Sequence, residues 1–256
     1  MAGCRLRHGA ASQAPGQVKQ KLSQILFSQG FGTRRLCAGL VWNGEVTING
    51  EVVEEPNTEF ETDGLRFTVD GLEWPVFDKA LILLNKPAGY ECSQKPKHHP
   101  SVLSLLPRPL RERGVQPIGR LDEDTTGLLL LTDDGTLIHK LTSPKHHVPK
   151  VYEARCKHAL TAEMIERLKT GVELREPEGK PGSEITHAEG AEIVDETLLR
   201  LTLIEGKYHQ VKRMVAAVGN RVEALHRPQF GALTLPADLK PGEWRWISSP
   251  AEVWGQ

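Results

Sequence analysis

Between residues 18 and 30 the apolar side chains fall at Val18, Leu22, Ile25, Leu26 and Phe27. Steps of three and four predict a helix that Gly30 stops. A second helix is predicted from Thr33, whose hydroxyl suits an N-cap, through Val41. After Asn43-Gly44 the period shortens: Val46-Thr47-Ile48 before Asn49-Gly50 reads as a strand and a tight turn, with Val52-Val53 beginning its partner. Phe67-Thr68-Val69 before Asp70-Gly71 repeats the signal. Residues 17–71 therefore form a small unit of two helices and a few short strands. The stretch 72–78 contains Pro75 and is expected to be a linker.

From Lys79 the pattern changes scale. Strands are predicted near 80–84, 126–132, 151–156 and 198–204, and helices at 136–141, 161–170 and 210–218. This alternation gives a second domain, 79–256, of the α+β class. Leu128 to Leu131 offers no polar face, so it must be a central strand buried on both sides. An acidic turn, Asp122-Glu123-Asp124, leads into it, and Asp134-Gly135 leaves it.

Composition is that of a globular chain, 39% hydrophobic and 25% charged. No apolar run is long enough to span a bilayer, so no membrane partner is expected. The net charge of -1 hides an asymmetry. Met1 to Gly44 carries no Asp or Glu but holds Arg5, Arg7, Lys19, Lys21, Arg34 and Arg35. Such a basic module suits a polyanion, although a basic tail ahead of an ordinary helix would look the same. Residues 1–16 lack the apolar core of a secretory signal and are expected to be a disordered basic tail, with a faint transit-peptide composition. Cys4, Cys37, Cys92 and Cys156 contain no C-x-x-C pair, so reduced thiols are expected. Joined with His98-His99 or His146-His147 they give no zinc-ligand spacing, and no metal is expected.

The acidic turn admits three readings. Asp122, Asp124, Thr126, Gly127 and Asp133 fall near the positions of a calcium loop, but position 12 is not Glu and four leucines fill the interior. Solvated acids in a turn are the plain alternative. A catalytic carboxylate is the third: it needs a rigid mount, a positive neighbour and room for substrate, and Arg120 lies two residues away.

The contiguous run Gly119-Arg120-Leu121-Asp122, then Thr125-Thr126-Gly127-Leu128-Leu129-Leu130-Leu131-Thr132 and Asp134-Gly135, resembles the catalytic signature of the RsuA-type pseudouridine synthases. The resemblance makes Asp122 the nucleophile and puts Arg120 against the flipped nucleotide or its vacated place in the stack. Three more segments match in order. Leu83 to Gly89 resembles the family's opening strand and turn, with Lys86 as a phosphate contact. Lys150-Val151-Tyr152 resembles its Lys-x-Tyr element, with Tyr152 on or beside the target base. Glu205 to Met214 resembles its last motif, in which Lys212 takes the place of the basic partner of the nucleophile and Arg213 is the alternative. Lys207 and Arg213 are further RNA contacts. Thr33-Arg34-Arg35 and the run Asn43 to Val53 resemble an S4 RNA-binding domain, with Arg34 and Arg35 at a helix start facing phosphate.

The resemblance spans about residues 17 to 247. It implies an S4-like domain followed by a catalytic domain with a mixed, largely antiparallel sheet flanked by helices. It implies isomerisation of uridine to pseudouridine in ribosomal RNA without a cofactor, by attack of the Asp at C1′ or at C6. Gly89 to Ser93, Ser143 to His147 and Lys207 to Arg213 resemble the small-subunit branch most, and so point to uridine 516 of 16S rRNA. The large-subunit (23S) branches are the alternative. Ribosomal RNA, free or in an assembling small subunit, is the expected partner of a monomer in the bacterial cytoplasm. A non-catalytic ribosome-assembly factor would also use the basic module, but has no need of Asp122, Tyr152 and Lys212 together. A glycosidase would need two carboxyls around a sugar.

Overall fold

The computed structural model describes residues 19–175 and 183–256, so the expected tail 1–16 lies outside the described residues. The chain divides into two compact units between Asp78 and Lys79.

The first unit runs β1 (Lys19–Lys21), α1 (Leu22–Ser28), α2 (Arg34–Trp42), β2 (Val46–Ile48), β3 (Glu51–Val52), β4 (Glu59–Glu61), β5 (Arg66–Val69) and β6 (Leu72–Pro75). The helix expected from residue 18 starts only at Leu22. Ahead of it β1 pairs with β4, setting Lys19 opposite Glu61 and Lys21 opposite Glu59. The first amides of α1 then donate to Thr58 O at 2.9 Å and Pro56 O at 3.1 Å, which satisfies groups with no partner inside a helix. Thr33 caps α2 by accepting from Leu36 N at 3.3 Å. Asn49 and Gly50 both take positive φ, 53° and 82°, as the two-residue hairpin between β2 and β3 requires.

The stretch 72–78 is a correction. Leu72–Pro75 is a strand that pairs with all of β5. Trp74 stands opposite Phe67, and both rings meet Phe31 edge-on at 5.3 and 5.2 Å. β6 lies at the outer edge of the order β3-β2-β5-β6, where the missing amide of Pro75 is harmless. A proline that reads as a linker signal is here an edge-strand residue.

The second unit contains β7 (Leu81–Lys86), α3 (Arg108–Glu112), β8 (Gln116–Pro117), β9 (Thr126–Thr132), α4 (Gly135–Thr142), β10 (Lys150–Cys156) and α5 (Ala162–Thr170). It continues through β11 (Val172–Arg175), β12 (Ser183–Thr186), β13 (Gly190–Ile193), β14 (Leu198–Leu203), α6 (Gln210–Ala217), β15 (Val222–Phe230), β16 (Leu233–Thr234) and β17 (Trp244–Trp246). One nine-stranded sheet has the order β13-β14-β10-β15-β9-β7-β17, with β16 beside β15 and β8 beside β9. The contact of β15 with β9 is parallel and two residues long; the other ladders are antiparallel. The mixed, largely antiparallel sheet with helices is thus present.

Leu128 to Leu131 are each 0% exposed, as a central strand demands. Leu128 and Leu130 join Leu81, Leu83, Leu137, Leu141 and Val253 in one core cluster. Asp134 caps α4 by accepting from Thr136 N and Leu137 N at 2.9 and 3.2 Å. Asp133 accepts from Ala80 N at 2.8 Å and pairs with Arg113 at 2.8 Å, so it ties β9 to its neighbours and is no calcium ligand.

Candidate active site

The acidic turn 122–124 is held from below. Lys86, at the end of β7, is 0% exposed. Its ammonium donates to the carbonyls of Pro87 at 3.0 Å, Glu123 at 3.1 Å and Thr125 at 2.8 Å. Burial lowers its pKa below the ordinary lysine value; the surrounding Cys92, Asp124, Glu123 and Asp122 oppose that shift. All three ammonium protons are used, so the expected phosphate contact is corrected. Lys86 is a clamp under the turn. Gly89 N donates to Glu123 O at 2.8 Å, and Leu121 N meets Cys92 Sγ at 3.4 Å. Burial raises the Cys92 thiol above its usual range.

Asp122 emerges from this mount into a cleft of about 670 Å3. It meets two groups from the start of α6: Lys212 Nζ lies 3.1 Å from Oδ2, and His209 Nε2 lies 3.3 Å from Oδ1. Lys212 also bridges both oxygens of Asp124, at 2.8 and 2.9 Å. A lysine in the first turn of a helix opposes the dipole there, and two carboxylates offset it. Burial would lower the pKa of Lys212, but Asp124 and then Asp122 outweigh it and raise it. Burial likewise would raise that of Asp124, but Lys212 outweighs it and holds it low.

The start of α6 is fixed from behind. His209 takes φ 46°, a left-handed turn into the helix. Gln210 donates to Glu205 Oε1 at 2.6 Å and accepts from Lys207 N at 2.9 Å. These bonds set the angle at which Lys212 reaches Asp122.

Tyr152 lines the same cleft and is only 9% exposed. Its hydroxyl lies 3.4 Å from Arg227 Nη1, and the guanidinium carbon lies 5.9 Å from its ring centre. Arg120 is exposed at the cleft wall. Lys207 also lines it but is held by Glu205 at 3.1 Å and Glu184 at 3.2 Å. Arg213 does not line it and donates to Tyr208 O at 3.3 Å. Arg34 and Arg35 are exposed at the start of α2 in the first unit, with Arg34 over the Phe27 ring at 5.3 Å.

Four residues of the site carried no role there in the sequence: Asp124, His209, Lys150 and Arg227. Asp124 figured only in the calcium-loop spacing and the acidic turn, and Lys150 and His209 only as members of the motifs around Tyr152 and Lys212. Arg227 sits in β15, where Pro228 breaks the alternation that would have flagged a strand. It stands opposite Gly127 in the two-residue parallel ladder. Gly127 has φ 106°, and a Cβ there would lie 2.8 Å from Arg227 N, 2.9 Å from His226 Cε1 and nearer still to Arg227 O. Only glycine lets the two strands touch. Among the described residues no cluster of three or more His, Cys, Asp or Glu is arranged to hold a metal, and no helix is long and apolar enough to cross a membrane.

An Asp in the turn that leads into a central strand, ion-paired in a cleft that a buried Tyr also lines, suits an enzyme that acts on one nucleotide of an RNA. The RNA pseudouridylate synthase family matches residues 80–217, and the chain belongs to that family, as an RsuA-type member. It is 40% identical to the ribosomal small subunit pseudouridine synthase A of Yersinia pestis, over 90% of this chain and 95% of that one. To the protein of the same name from Escherichia coli K12 it is 39% identical, over 85% and 92%. A crystal structure of a pseudouridylate synthase superposes with a TM-score of 0.62 at 33% identity, covering 91% of this chain and 97% of its own.

Proposed function

We propose that this enzyme converts one uridine of small-subunit ribosomal RNA to pseudouridine, with Asp122 as the nucleophile. The observation that carries the reading is the carboxylate of Asp122, held in the turn that leads into β9 and paired with Lys212 and His209 in the cleft. The names of the relatives supply the RNA: each is a small-subunit enzyme. Uridine 516 of 16S rRNA is the position to test first.

The reaction breaks the N1–C1′ bond, turns the base and joins C5 to C1′. C5 loses its proton and N1 gains one, so composition and oxidation state are unchanged. Attack at C1′ and attack at C6 both start from the same carboxylate. A nucleotide reaches Asp122 only by leaving its stack, which costs a few kcal/mol, offset by stacking and phosphate contacts. Tyr152 meets the base inside the cleft, and Arg120 at the wall meets the flipped nucleotide or the gap it leaves. The first unit, with Arg34 and Arg35, holds flanking RNA through its phosphates.

The test is pseudouridine mapping by carbodiimide and primer extension on small- and large-subunit RNA, naked and partly assembled. Wild type should give one new stop in the small-subunit RNA, and Asp122→Asn none while still binding RNA. A stop with both proteins removes Asp122 from the mechanism. A stop in 23S RNA alone moves the target, and tight binding with no stop on any RNA leaves an assembly factor.

A further inference from the structure

Two cations lining the cleft have no anionic partner among the described residues. Arg227 is 2% exposed. Its Nε donates to Leu128 O at 2.9 Å and its Nη1 lies 3.4 Å from the Tyr152 hydroxyl. Its Nη2 is the one buried side-chain nitrogen or oxygen among the described residues with no hydrogen-bond partner. Lys150, 9% exposed, spends one proton on Val148 O at 2.9 Å. Lys150 and Phe230 are cross-strand partners. The Phe230 ring has Lys150 Nζ 5.2 Å from its centre and the Arg227 guanidinium 5.3 Å from it. Among the described residues no carboxylate pairs with either cation. Burying two like charges together is costly, and an unmet buried donor adds to the cost. Such an arrangement is relieved when a ligand brings oxygen atoms that carry negative charge.

We propose that Arg227 Nη2 and Lys150 Nζ hold the two carbonyl oxygens of the flipped uracil and carry its charge while it is detached from the ribose. This rests on the function proposed above. When N1–C1′ breaks, its electron pair stays on the base, which becomes a monoanion sharing charge among N1, O2 and O4. C5 must then face C1′ where N1 stood. A half-turn about the N3–C6 axis achieves this and exchanges O2 with O4. Two donors fixed in the protein therefore meet both oxygens before the turn and both again after it. C5 then bonds to C1′; where Asp122 has attacked that carbon, this breaks the ester and returns its electron pair to the carboxylate. C5 loses its proton and N1 gains one. Arg227 and Lys150 act on the base, whereas Asp122 and Lys212 act at the rim.

The test uses full-length Arg227→Gln and Lys150→Met under single-turnover conditions on small-subunit RNA. Loss of a donor to a developing anion lowers the rate about 100- to 1000-fold. RNA affinity should change less than about threefold, because neither group is a phosphate contact. A second substrate carries 5-fluorouridine at the target, and loss of that nucleoside is read by mass spectrometry after digestion. Fluorine makes the detached anion more stable, so the deficit of both variants should shrink about tenfold or more. Equal deficits on both RNAs would overturn the proposal, as would wild-type rates or a loss of affinity in place of rate. If Arg227→Gln melts far below wild type, Lys150→Met, which gives up only the bond to Val148 O and the contact with the Phe230 ring, decides alone. Wild type that forms no pseudouridine refutes the parent reading, whereas active wild type with unaffected variants refutes this one only.

Discussion

Replacing Gly127 with Ala tests whether the close approach of β9 and β15 builds the site. Two costs follow from the structure. A non-glycine residue at φ 106° is strained by about 1–3 kcal/mol. The new methyl, 2.8 Å from Arg227 N and nearer to Arg227 O, must push two backbones apart, at about 1–3 kcal/mol more. The sum is about 2–6 kcal/mol. At roughly 2–4 °C per kcal/mol for a unit of this size, Tm falls by about 4–24 °C. The strand that moves carries Arg227, and the strand it leaves carries the Asp122 turn. A displacement near 1 Å at a catalytic constellation lowers rate on the order of 100-fold. Gly114→Ala is the internal control: it has φ 76° with nothing within 4 Å, so it meets the backbone cost alone. Circular-dichroism melts and single-turnover rates of the two variants decide the matter. The reasoning fails if Gly127→Ala melts with Gly114→Ala and keeps wild-type turnover.

Lys86→Met leaves three carbonyls under the acidic turn without their donor, and is expected to cost about 2–4 kcal/mol and at least tenfold in kcat. RNA affinity, measured by filter binding, should hold; a weakened Kd with normal kcat would restore the phosphate-contact role. Lys212→Met leaves Asp122 and Asp124 without their shared cation and should lower kcat about 100-fold, with part of the loss recovered in Lys212→Arg. A Lys212→Met enzyme of normal kcat would show the ion pair to be idle. Stability should rise with pH above neutrality through Lys150. Burial, with Arg227 beside it, holds this lysine down to about 8 from 10.5. Below pH 8 both folded and unfolded chains carry the proton; between about 8 and 10.5 only the unfolded chain does, so its contribution to unfolding free energy grows by up to roughly 3 kcal/mol. Urea midpoints of wild type and Lys150→Met at pH 7.5 and 9.5 check this: the wild-type midpoint should rise more than that of the variant, and parallel behaviour would refute it.

Much of this molecule could be read from its residues because the signals were local. Leu128 to Leu131 could only be a buried strand, Thr33 and Thr161 cap the helices they precede, and Asn49-Gly50 closes the hairpin it announced. The Asp122–Lys212 pair was legible only through resemblance to a family, since nothing in the spacing of residues 122 and 212 brings them together. Non-local effects were missed. Leu72–Pro75 became a strand because Trp74 had Phe31 and Phe67 to pack on, which no short window displays. β15 went unseen because His226, Arg227 and Pro228 obscure its alternation. Lys86 looked like a surface cation, and only the carbonyls around it show that its charge is turned inward.

The two-residue ladder between β9 and β15 joins Thr126 to His226, 100 positions later. Synthesis runs in one direction, so the Asp122 turn exists long before its cation on α6 and the guanidinium on β15 have been translated. A growing chain that has passed Thr132 possesses the proposed nucleophile's sequence but no cleft. Closing a loop of this length also delays assembly after release, because its entropy is lost before the contacts reward it. Catalytic competence is thus a late event in the life of each molecule. Until α6 and β15 have been made, the chain has no cleft with which to act on its proposed substrate, ribosomal RNA.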